Sequence, residues 1–284
     1  MEAVDLHLHS TASDGEAAPA EVARLAAAAG LSGIALTDHD TLAGVDEARH
    51  AGAELHLRVV AGCEFSVRAW WGELHLLGYF LPTDHEDLGH FLADQRTARA
   101  ERAVAMVRRL EELGVAVSLD AVQRQAGPGS VGRPHVARAL VQAGLVATPD
   151  EAFERYLADG GPAFVPKPLV ELESITALVR RVGGVTSAAH LKERATRRTL
   201  KRLKDAGVDA VEVLHPAHDE GTASRLGDWA ADIGLLKSGG SDWHGRQDAR
   251  PGRRSIGAQR VPAQWLEHIE RLHHERVATV DSAS

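Results

Sequence analysis

The chain has 284 residues, enough for one large α/β domain or for a barrel with an insertion. Its formal net charge of −8 argues against a protein that coats long nucleic acids through a broad basic surface, but leaves room for a small, locally positive site. The single cysteine, Cys63, excludes an internal disulfide and a thiolate-rich metal site. The sequence has no run of about 18 apolar residues and no signal-peptide pattern, so we expect a cytoplasmic protein without membrane contact.

Strand-like and helix-like runs alternate from the first residues onward, which is typical of a parallel α/β architecture. In the first predicted strand, Asp5, His7 and His9 lie on one face, and the alternate apolar residues lie on the other, where they can pack against helices. A helix is predicted over residues 19–29. Further strands are predicted over residues 33–40, 57–67 and 72–80, the last two as a hairpin-like pair.

Residues 96–161 have a different pattern, with three amphipathic helices and no intervening strand. The third of these helices begins with Thr148 and Glu151 at capping-box spacing. The alternation then resumes, with strands predicted over residues 183–190, 209–216 and 235–244 and a short one within 255–261. We therefore predict a barrel domain formed by residues 1–95 and 162–284, and a helical insertion, residues 96–161, that covers the active site.

Histidines and carboxylates recur at or near the ends of the predicted strands. After His9 they are Asp38, His39, Glu64, His75, His190, Asp242 and His244. The carboxyl-terminal strand ends of a parallel barrel converge on one face, where sites are assembled from several strands. Each motif alone has a structural explanation, such as a packed histidine pair or a turn aspartate, but their joint recurrence predicts one site.

The residue types indicate the chemistry of that site. Imidazole and carboxylate together suit Mn, Fe, Co or Zn, whereas oxygen ligands alone would suit Mg or Ca. Six histidines and three carboxylates are too many for one ion, and a carboxylate that bridges ions about 3.5–4 Å apart is the usual arrangement for hydrolytic displacement. Several cations in one pocket predict an anionic substrate, and phosphate satisfies this requirement.

The segments HLHSTASDG, ALTDHDTLAG, GCEFS, ELHLLGY, SAAH and SGGSDWHG resemble, in order and spacing, the motifs of the PHP (polymerase and histidinol phosphatase) superfamily. The resemblance spans essentially the whole chain. The segments VGRPHVARAL and AFVPK are similar to those of the branch that includes 3′,5′-nucleoside bisphosphate phosphatases and RNase AM-like exoribonucleases. The resemblance implies an α/β fold, a distorted (β/α)7 barrel, with two or three divalent metal ions, most commonly Mn²⁺ and otherwise Fe or Zn.

The resemblance also implies the metal ligands, position by position. They form three groups: His7, His9, Glu64 and Asp242; Glu64 again as a bridge, with His75 and His190; and Asp14, His39 and His244.

Substrate contacts are expected mainly in and after the insertion. Arg133 can grip a phosphate bidentately, and Lys167 can supply a point charge. His135 can donate a hydrogen bond or a proton. Asp40 can orient a histidine or a substrate hydroxyl, and His215 can contact the sugar or base. The alternatives are that Arg133 and His135 only open a helix and that Lys167 is a surface lysine.

The residues predict a phosphoesterase that works through a metal-bridging hydroxide held at Glu64, with His135 as a proton donor, and the resemblance implies that it hydrolyses the 3′-phosphate of nucleoside 3′,5′-bisphosphates. One phosphate would lie on the metals, and the other on Arg133, His135 and Lys167. The same site could also remove nucleotides from the 5′ end of short oligoribonucleotides. The alternatives are a histidinol-phosphate-type phosphatase and a non-catalytic metal-binding module, and no protein partner is inferred.

Overall fold

The computed structural model describes residues 2–245 and 255–281. The strands are β1 (Ala3–Leu8), β2 (Gly33–Leu36), β3 (Arg58–Ala69), β4 (Gly72–Tyr79), β5 (Val170–Glu171), β6 (Val185–Ala188), β7 (Ala210–Leu214), β8 (Leu236–Gly239) and β9 (Val261–Pro262). The α-helices are α1 (Pro19–Ala28), α2 (Val45–Glu54), α3 (Glu86–Glu112), α4 (Leu119–Ala126), α5 (Arg133–Gln142), α6 (Pro149–Ala152), α7 (Leu172–Arg181), α8 (Arg197–Asp205), α9 (Glu220–Ile233) and α10 (Ala263–Asp281).

The strands form one curled sheet whose two ends meet. The order along the sheet is β8-β7-β6-β4-β3-β2-β1-β9, and β5 pairs with β3 off this path. Beyond β8 the chain returns to β1, where the His9 amide donates to the Trp243 carbonyl at 3.0 Å and the Asp242 amide donates to the His7 carbonyl at 2.9 Å. These bonds make the sheet a nearly closed barrel, which confirms the predicted fold class.

Strand β4 runs against both of its neighbours, β3 and β6, whereas the other neighbouring pairs from β1 to β3 and from β6 to β8 are parallel. A two-residue turn, Trp70–Trp71, joins β3 to β4, as the predicted hairpin requires. Because β4 is reversed, its first half lies beside the last half of β3. His75 therefore pairs with Ser66, at the same end of the barrel as Glu64.

The apolar face of β1 packs on helices, as the alternation predicted. Val4 and Leu6 share a buried cluster with Leu266 and Ile269 of α10. Leu8 belongs to a second cluster, with apolar residues of α1 and α2. With its apolar face fixed against helices, β1 must turn its histidines to the opposite side.

Helices α3 to α6 have an apolar cluster of their own, with Met106, Leu110, Val136 and Leu140 among its buried members. Two details differ from the sequence-based prediction. Helix α3 is one 27-residue helix that already begins at Glu86, and α4 was not predicted. The helix predicted over residues 148–160 is a four-residue α-helix, capped by the Thr148 hydroxyl, that continues as a π-helical turn.

The short strand predicted within residues 255–261 is also different. Residues 256–259 form turns, and β9 is only Val261–Pro262, antiparallel to the start of β1. Among the described residues, no helix combines the length and the apolar character needed to span a bilayer.

Candidate metal centre

Glu64 is the centre of a cluster of imidazoles and carboxylates at the mouth of the barrel. Its Oε2 atom lies 3.2 Å from His7 Nε2 and 3.1 Å from His9 Nε2. The same two histidine atoms each lie 3.4 Å from Asp242 Oδ1. The ligand atoms of these four residues all fall within 4.8 Å of one another, so they could hold one metal ion.

The other carboxylate oxygen of Glu64 faces a second set of imidazoles. Oε1 lies 2.7 Å from His75 Nδ1 and 3.2 Å from His190 Nε2. His39 also approaches Glu64, with Nδ1 3.3 Å from Oε2. One carboxylate thus presents each of its oxygens to a different group of candidate ligands, which is the arrangement that a bridging ligand needs.

A third group surrounds Asp14. Its carboxylate oxygens lie 3.3 Å from His244 Nε2, 3.8 Å from His39 Nε2 and 3.8 Å from His9 Nδ1. His9 and His39 therefore each turn one ring nitrogen to this group and the other to the neighbouring groups. All nine residues expected as ligands converge here, although the grouping is less sharply divided than the sequence suggested.

Unpartnered buried atoms test whether these residues suit metal ions. Nine buried side-chain atoms lack a hydrogen-bond partner among the described residues, and six belong to this cluster: His7 Nε2, His9 Nε2, His39 Nδ1, Glu64 Oε2, His75 Nδ1 and His215 Nε2. Leaving one such atom unpaired costs about 1–3 kcal/mol. The five of these atoms that belong to expected ligands fit divalent cations with mixed imidazole and carboxylate ligands.

The charges of the cluster also suit metal binding. Burial alone would raise the pKa of Glu64, but the imidazoles of His39, His75 and His7 outweigh it and hold that pKa well below its usual range. The pKa values of Asp14 and Asp242 are lowered in the same way, against their burial, by the surrounding histidines. Burial lowers the pKa of His39 to about 3. Against burial, the neighbouring carboxylates raise the pKa of His75 to about 9 and that of His244 to about 10. Ionised carboxylates and neutral imidazoles are the forms that bind metals, so metal binding at His75 and His244 would release protons.

Glu212 of β7 orients two of the candidate ligands and was not recognised in the sequence. It is fully buried, its Oε1 accepts from His7 Nδ1 at 3.0 Å, and its Oε2 accepts from the His190 amide at 2.7 Å. A carboxylate behind a metal-binding histidine fixes the tautomer and the ring orientation. The sequence feature that could have indicated Glu212 is its position as the one acid within the apolar strand VEVL.

Two further aspartates hold the loops that carry ligands. Asp38 accepts from the amide and hydroxyl of Ser10, at 2.8 and 2.7 Å, and from the Ser13 hydroxyl at 2.6 Å, which fixes the turn before Asp14. Asp5 accepts from the Ser241 amide at 2.9 Å, next to Asp242. Neither points its carboxylate at the candidate ligands, so Asp38 has a structural role.

The backbone is strained where it presents the site. Asp40, His190 and Asp242 have φ angles of 51°, 25° and 52°, a region that residues other than glycine seldom adopt. Gly240 allows this close approach, because a Cβ there would lie 2.4 Å from the Cβ of His7. Non-glycine residues in such conformations cluster at functional sites.

Asp40 connects the metal cluster to buried cations. Its Oδ2 accepts from Arg99 Nε of α3 and from Lys167 Nζ, both at 2.6 Å. Burial alone would raise the pKa of Asp40, but Arg99 and Lys167 lower it below its usual range. Lys167 was predicted as a substrate contact, and Asp40 as an orienting residue. Arg99 was missed, because nothing local distinguishes it from the other arginines of an amphipathic helix.

Arg133 lies beside these cations, but its charge is already engaged. Its Nη1 donates to Asp159 at 2.6 Å and to the Leu157 carbonyl at 3.3 Å, and its guanidinium lies 5.5 Å from the ring centre of Phe164. Arg102 packs on the same ring at 5.8 Å. Burial and the neighbouring Arg133 lower the pKa of Arg102 to about 10. The cation cluster of Arg99, Arg102, Arg133 and Lys167 thus carries more charge than Asp40, Asp159 and the nearby Glu73 balance.

His135 has a different role from the expected one. It is 1% exposed, its Nδ1 accepts from the Gly132 amide at 2.8 Å, and its Nε2 lies 3.0 Å from the Ser13 carbonyl, to which it donates. Burial, together with Arg138, lowers its pKa to about 4. With both nitrogens engaged by backbone, the structure does not place His135 as a free proton donor. Instead it ties α5 to the loop that carries Asp14.

His215, by contrast, turns a free nitrogen toward the cluster. Its Nδ1 accepts from the Ala217 amide at 3.0 Å, so the proton of the neutral ring is on Nε2. That Nε2 lies 3.5 Å from Asp242 Oδ2 and is among the unpartnered buried atoms. His215 can therefore donate a hydrogen bond to a group bound at the cluster.

A cleft of about 500 Å³ opens onto the cluster. His75 and His190 belong to its wall, together with Trp71, Asp159, Lys192 and Arg194. The cleft therefore joins the candidate ligands to Asp159, the partner of Arg133, and to the segment that follows β6.

Comparisons with known proteins show what this chain is similar to. The PHP domain model matches residues 5–143. A 5′-3′ exoribonuclease of Haemophilus influenzae is 35% identical over 84% of this chain and 89% of its own length, and a 3′,5′-nucleoside bisphosphate phosphatase of Chromobacterium violaceum is 34% identical over 86% and 88%. A crystal structure from Bifidobacterium adolescentis, assigned as a metal-dependent phosphoesterase, superposes with a TM-score of 0.87 at 31% identity and covers 95% of this chain and 96% of its own.

These similarities extend over nearly the whole barrel and its helical segment, well beyond the span of the domain model. They confirm the superfamily, the barrel fold and the class of enzyme, a hydrolase acting on phosphoester bonds, that the sequence motifs predicted. The chain belongs to the PHP family.

Proposed function

We propose that this protein is a metal-dependent phosphoesterase that removes the 3′-phosphate from nucleoside 3′,5′-bisphosphates, and that the same site hydrolyses short oligoribonucleotides from the 5′ end. The observation that carries the proposal is the convergence of orphaned imidazole and carboxylate atoms on Glu64, directly beside an under-compensated cation cluster. The orphaned atoms suit metal ions, which would bind one phosphate of the substrate. The cation cluster suits the other phosphate of the same substrate.

In this proposal three groups of residues hold divalent ions, most commonly Mn²⁺, with Fe or Zn as alternatives. The groups are His7, His9, Glu64 and Asp242; Glu64 as a bridge with His75 and His190; and Asp14, His39 and His244. When bound, such ions acidify a coordinated water and neutralise charge on phosphoryl oxygens. Ligand geometry on Glu64 supports the bridge.

The chain's own residues bind and orient the substrate. His215 donates from Nε2 to an oxygen of the phosphoryl group that reacts, since that proton has no other partner among the described residues. Glu212 keeps His7 in the tautomer whose Nε2 faces the cluster. His135 holds the Asp14 loop through the Ser13 carbonyl and moves no proton.

The second phosphate is proposed to bind at the cation cluster. Arg133 would exchange its contact with Asp159 for the phosphate, because the Asp159 side chain is 80% exposed and loses little when released. Lys167 and Arg99 would keep their ion pairs with Asp40 and add positive electrostatic potential at the bound phosphate. A grip at two points explains a preference for substrates with two phosphoryl groups.

The exoribonuclease activity is supported by the named activity of the Haemophilus relative and by the cleft. A 5′-phosphate on the cation cluster and a scissile diester at the metal centre would leave the rest of the strand in that cleft, which is open to solvent. We place the protein in the cytoplasm, in keeping with a single, buried, free cysteine in 284 residues.

A phosphate-release panel with Mn²⁺-loaded protein tests the proposal. We expect the highest kcat/KM with a 3′,5′-bisphosphate, and shortening of a 5′-phosphorylated oligoribonucleotide. Faster release from histidinol phosphate would favour that type of phosphatase. Absence of both hydrolysis and bound transition metal would indicate a non-catalytic module.

The variant Arg133→Ala tests the second phosphate site. The loss of a charged hydrogen bond, worth about 1.5–3 kcal/mol, should lower kcat/KM for the bisphosphate about 10- to 100-fold and leave a simple phosphomonoester nearly unaffected. Arg155→Ala, which removes an exposed arginine from the same helical segment, is the matched control. Equal losses on both substrates would contradict the assignment.

A further inference from the structure

The β3–β4 hairpin ends in two adjacent tryptophans that the turn itself does not require. Two-residue hairpin loops are usually formed by Asn, Asp or Gly, which tolerate the backbone angles of such turns. Here the loop is Trp70–Trp71, and Trp70 remains 41% exposed, whereas most large apolar side chains of the chain are buried. An exposed indole beside a half-buried one at a hairpin tip is therefore a candidate binding surface.

A dense run of cations lies against this tip. Residues 192–204, KERATRRTLKRLK, contain seven lysines and arginines and one carboxylate, in a chain whose net charge is −8. Arg202 of α8 lies over the Trp70 ring at 3.8 Å, and Arg194 lies over the Trp71 ring at 5.8 Å. Arg198 is exposed, four residues before Arg202, so the two side chains share one face of α8.

This surface is continuous with the metal centre. Trp71 and Arg194 line the same cleft as the candidate ligands His75 and His190. Trp70 lies beside Trp71 at the tip of the hairpin, and Arg202 of α8 lies against Trp70. Arginines and indoles thus lead away from the cleft, on elements other than those that carry the cation cluster.

We propose that Trp70, Trp71, Arg194, Arg198 and Arg202, the arginine–tryptophan track, bind the 3′ part of a single-stranded oligoribonucleotide whose 5′ end lies in the active site. This inference rests on the proposed function and adds to it the direction in which the RNA strand is bound. Guanidinium groups suit phosphates, and indole rings stack on bases of any sequence. Because the proposed function puts the 5′-phosphate on the cation cluster, the track remains for the part of the strand that follows the scissile bond.

The test compares an oligomer with a mononucleotide in the Mn²⁺-loaded full chain. The substrates are a 5′-phosphorylated oligoadenylate of about ten nucleotides, within the usual size of a single-strand site, and adenosine 3′,5′-bisphosphate. The double variant Arg198→Glu/Arg202→Glu should lower the ratio of the two kcat/KM values at least tenfold. The slope of log(kcat/KM) against log[salt] for the oligomer should become shallower by about 1.4, at about 0.7 per phosphate contact.

A charge-matched control changes two exposed arginines elsewhere, Arg24→Glu/Arg49→Glu, on α1 and α2. It should leave the ratio unchanged. Trp70→Ala should weaken oligomer affinity about tenfold or more, and Trp70→Phe should restore most of it, because a phenyl ring still stacks.

Binding of the labelled oligomer in EDTA, measured by fluorescence anisotropy, separates this proposal from the proposed activity. If the protein hydrolyses neither substrate, the function fails, but reduced binding by the track variant still supports the track. Equal effects of the track and control variants on binding, or an unchanged kcat/KM ratio, would overturn it.

Discussion

Replacing Glu212 by Gln tests whether a buried carboxylate sets the metal affinity from behind the ligands. Glu212 accepts from His7 Nδ1 at 3.0 Å and from the His190 amide at 2.7 Å, one bond at each oxygen. The amide of glutamine has one acceptor oxygen, so one of these donors would face an NH₂ group. A lost charge-assisted hydrogen bond costs about 1.5–3 kcal/mol, which corresponds to about 10- to 100-fold in affinity. Loss of a carboxylate behind a histidine ligand typically costs the same range.

The assay is calorimetric titration of Mn²⁺ into metal-free protein. We expect a dissociation constant about 10- to 100-fold weaker and unchanged stoichiometry, because Glu212 orients ligands and does not bind the ion. Asp209→Asn is the matched control: Asp209 is also an acid with a largely buried side chain, but it lies just before β7 and accepts from Thr186 and Arg276. It should lower stability without changing metal affinity. An unchanged dissociation constant for Glu212→Gln, or the loss of one equivalent of metal, would refute the reasoning.

Two further outcomes follow from the burial of the site. Saturation with Mn²⁺ at about 100 times its dissociation constant should stabilise the fold by about 2.7 kcal/mol per ion, which should raise Tm by about 5–10 °C in scanning calorimetry. Most of this gain should disappear in the variant Glu64→Gln. An equal gain in both proteins would contradict the bridging role of Glu64. Because the pKa of buried His135 is about 4 when folded and near 6.5 when unfolded, the unfolded state binds its proton first, so up to about 3 kcal/mol of stability should be lost as pH falls from about 6.5 to about 4. His135→Gln keeps a capping acceptor at this helix position without a titrating ring, and urea unfolding should show a smaller difference between pH 7 and pH 5 than in the unmodified chain; an identical difference would contradict the assignment of His135.

The metal cluster was predictable because strand periodicity fixes side-chain direction over short distances. Once β1 is a strand with an apolar face, His7 and His9 must point together to the other side. The convergence with Glu64 and Asp242 then follows from the parallel order of the strands. The reversal of β4 was harder to predict, but the hairpin brings His75 to the same end.

Contacts that depend on distant segments were not predictable in the same way. Arg99 meets Asp40 across 59 positions of the chain, through the packing of α3 against the loop that follows β2. Arg133 was correctly seen as a cation at the start of a helix, but its partner Asp159 follows the π-helical turn, which periodicity did not predict. Glu212 is different, since a lone acid within an apolar strand could have been recognised as an inward-facing carboxylate.

The buried site is costly for the fold without ions, and this cost connects its structure to its function. Carboxylates and imidazoles at the barrel mouth leave six buried atoms without partners, and three positions there have left-handed backbone. Each feature destabilises the chain by about 1–3 kcal/mol unless something bound offsets it. Packing of β1 on α1 and α10, and the ties from Asp5, Asp38 and Glu212, supply rigidity from outside the cluster. Because these supports do not themselves satisfy the orphaned atoms, the arrangement favours ligands that bring positive charge, and the same pocket then attracts phosphate.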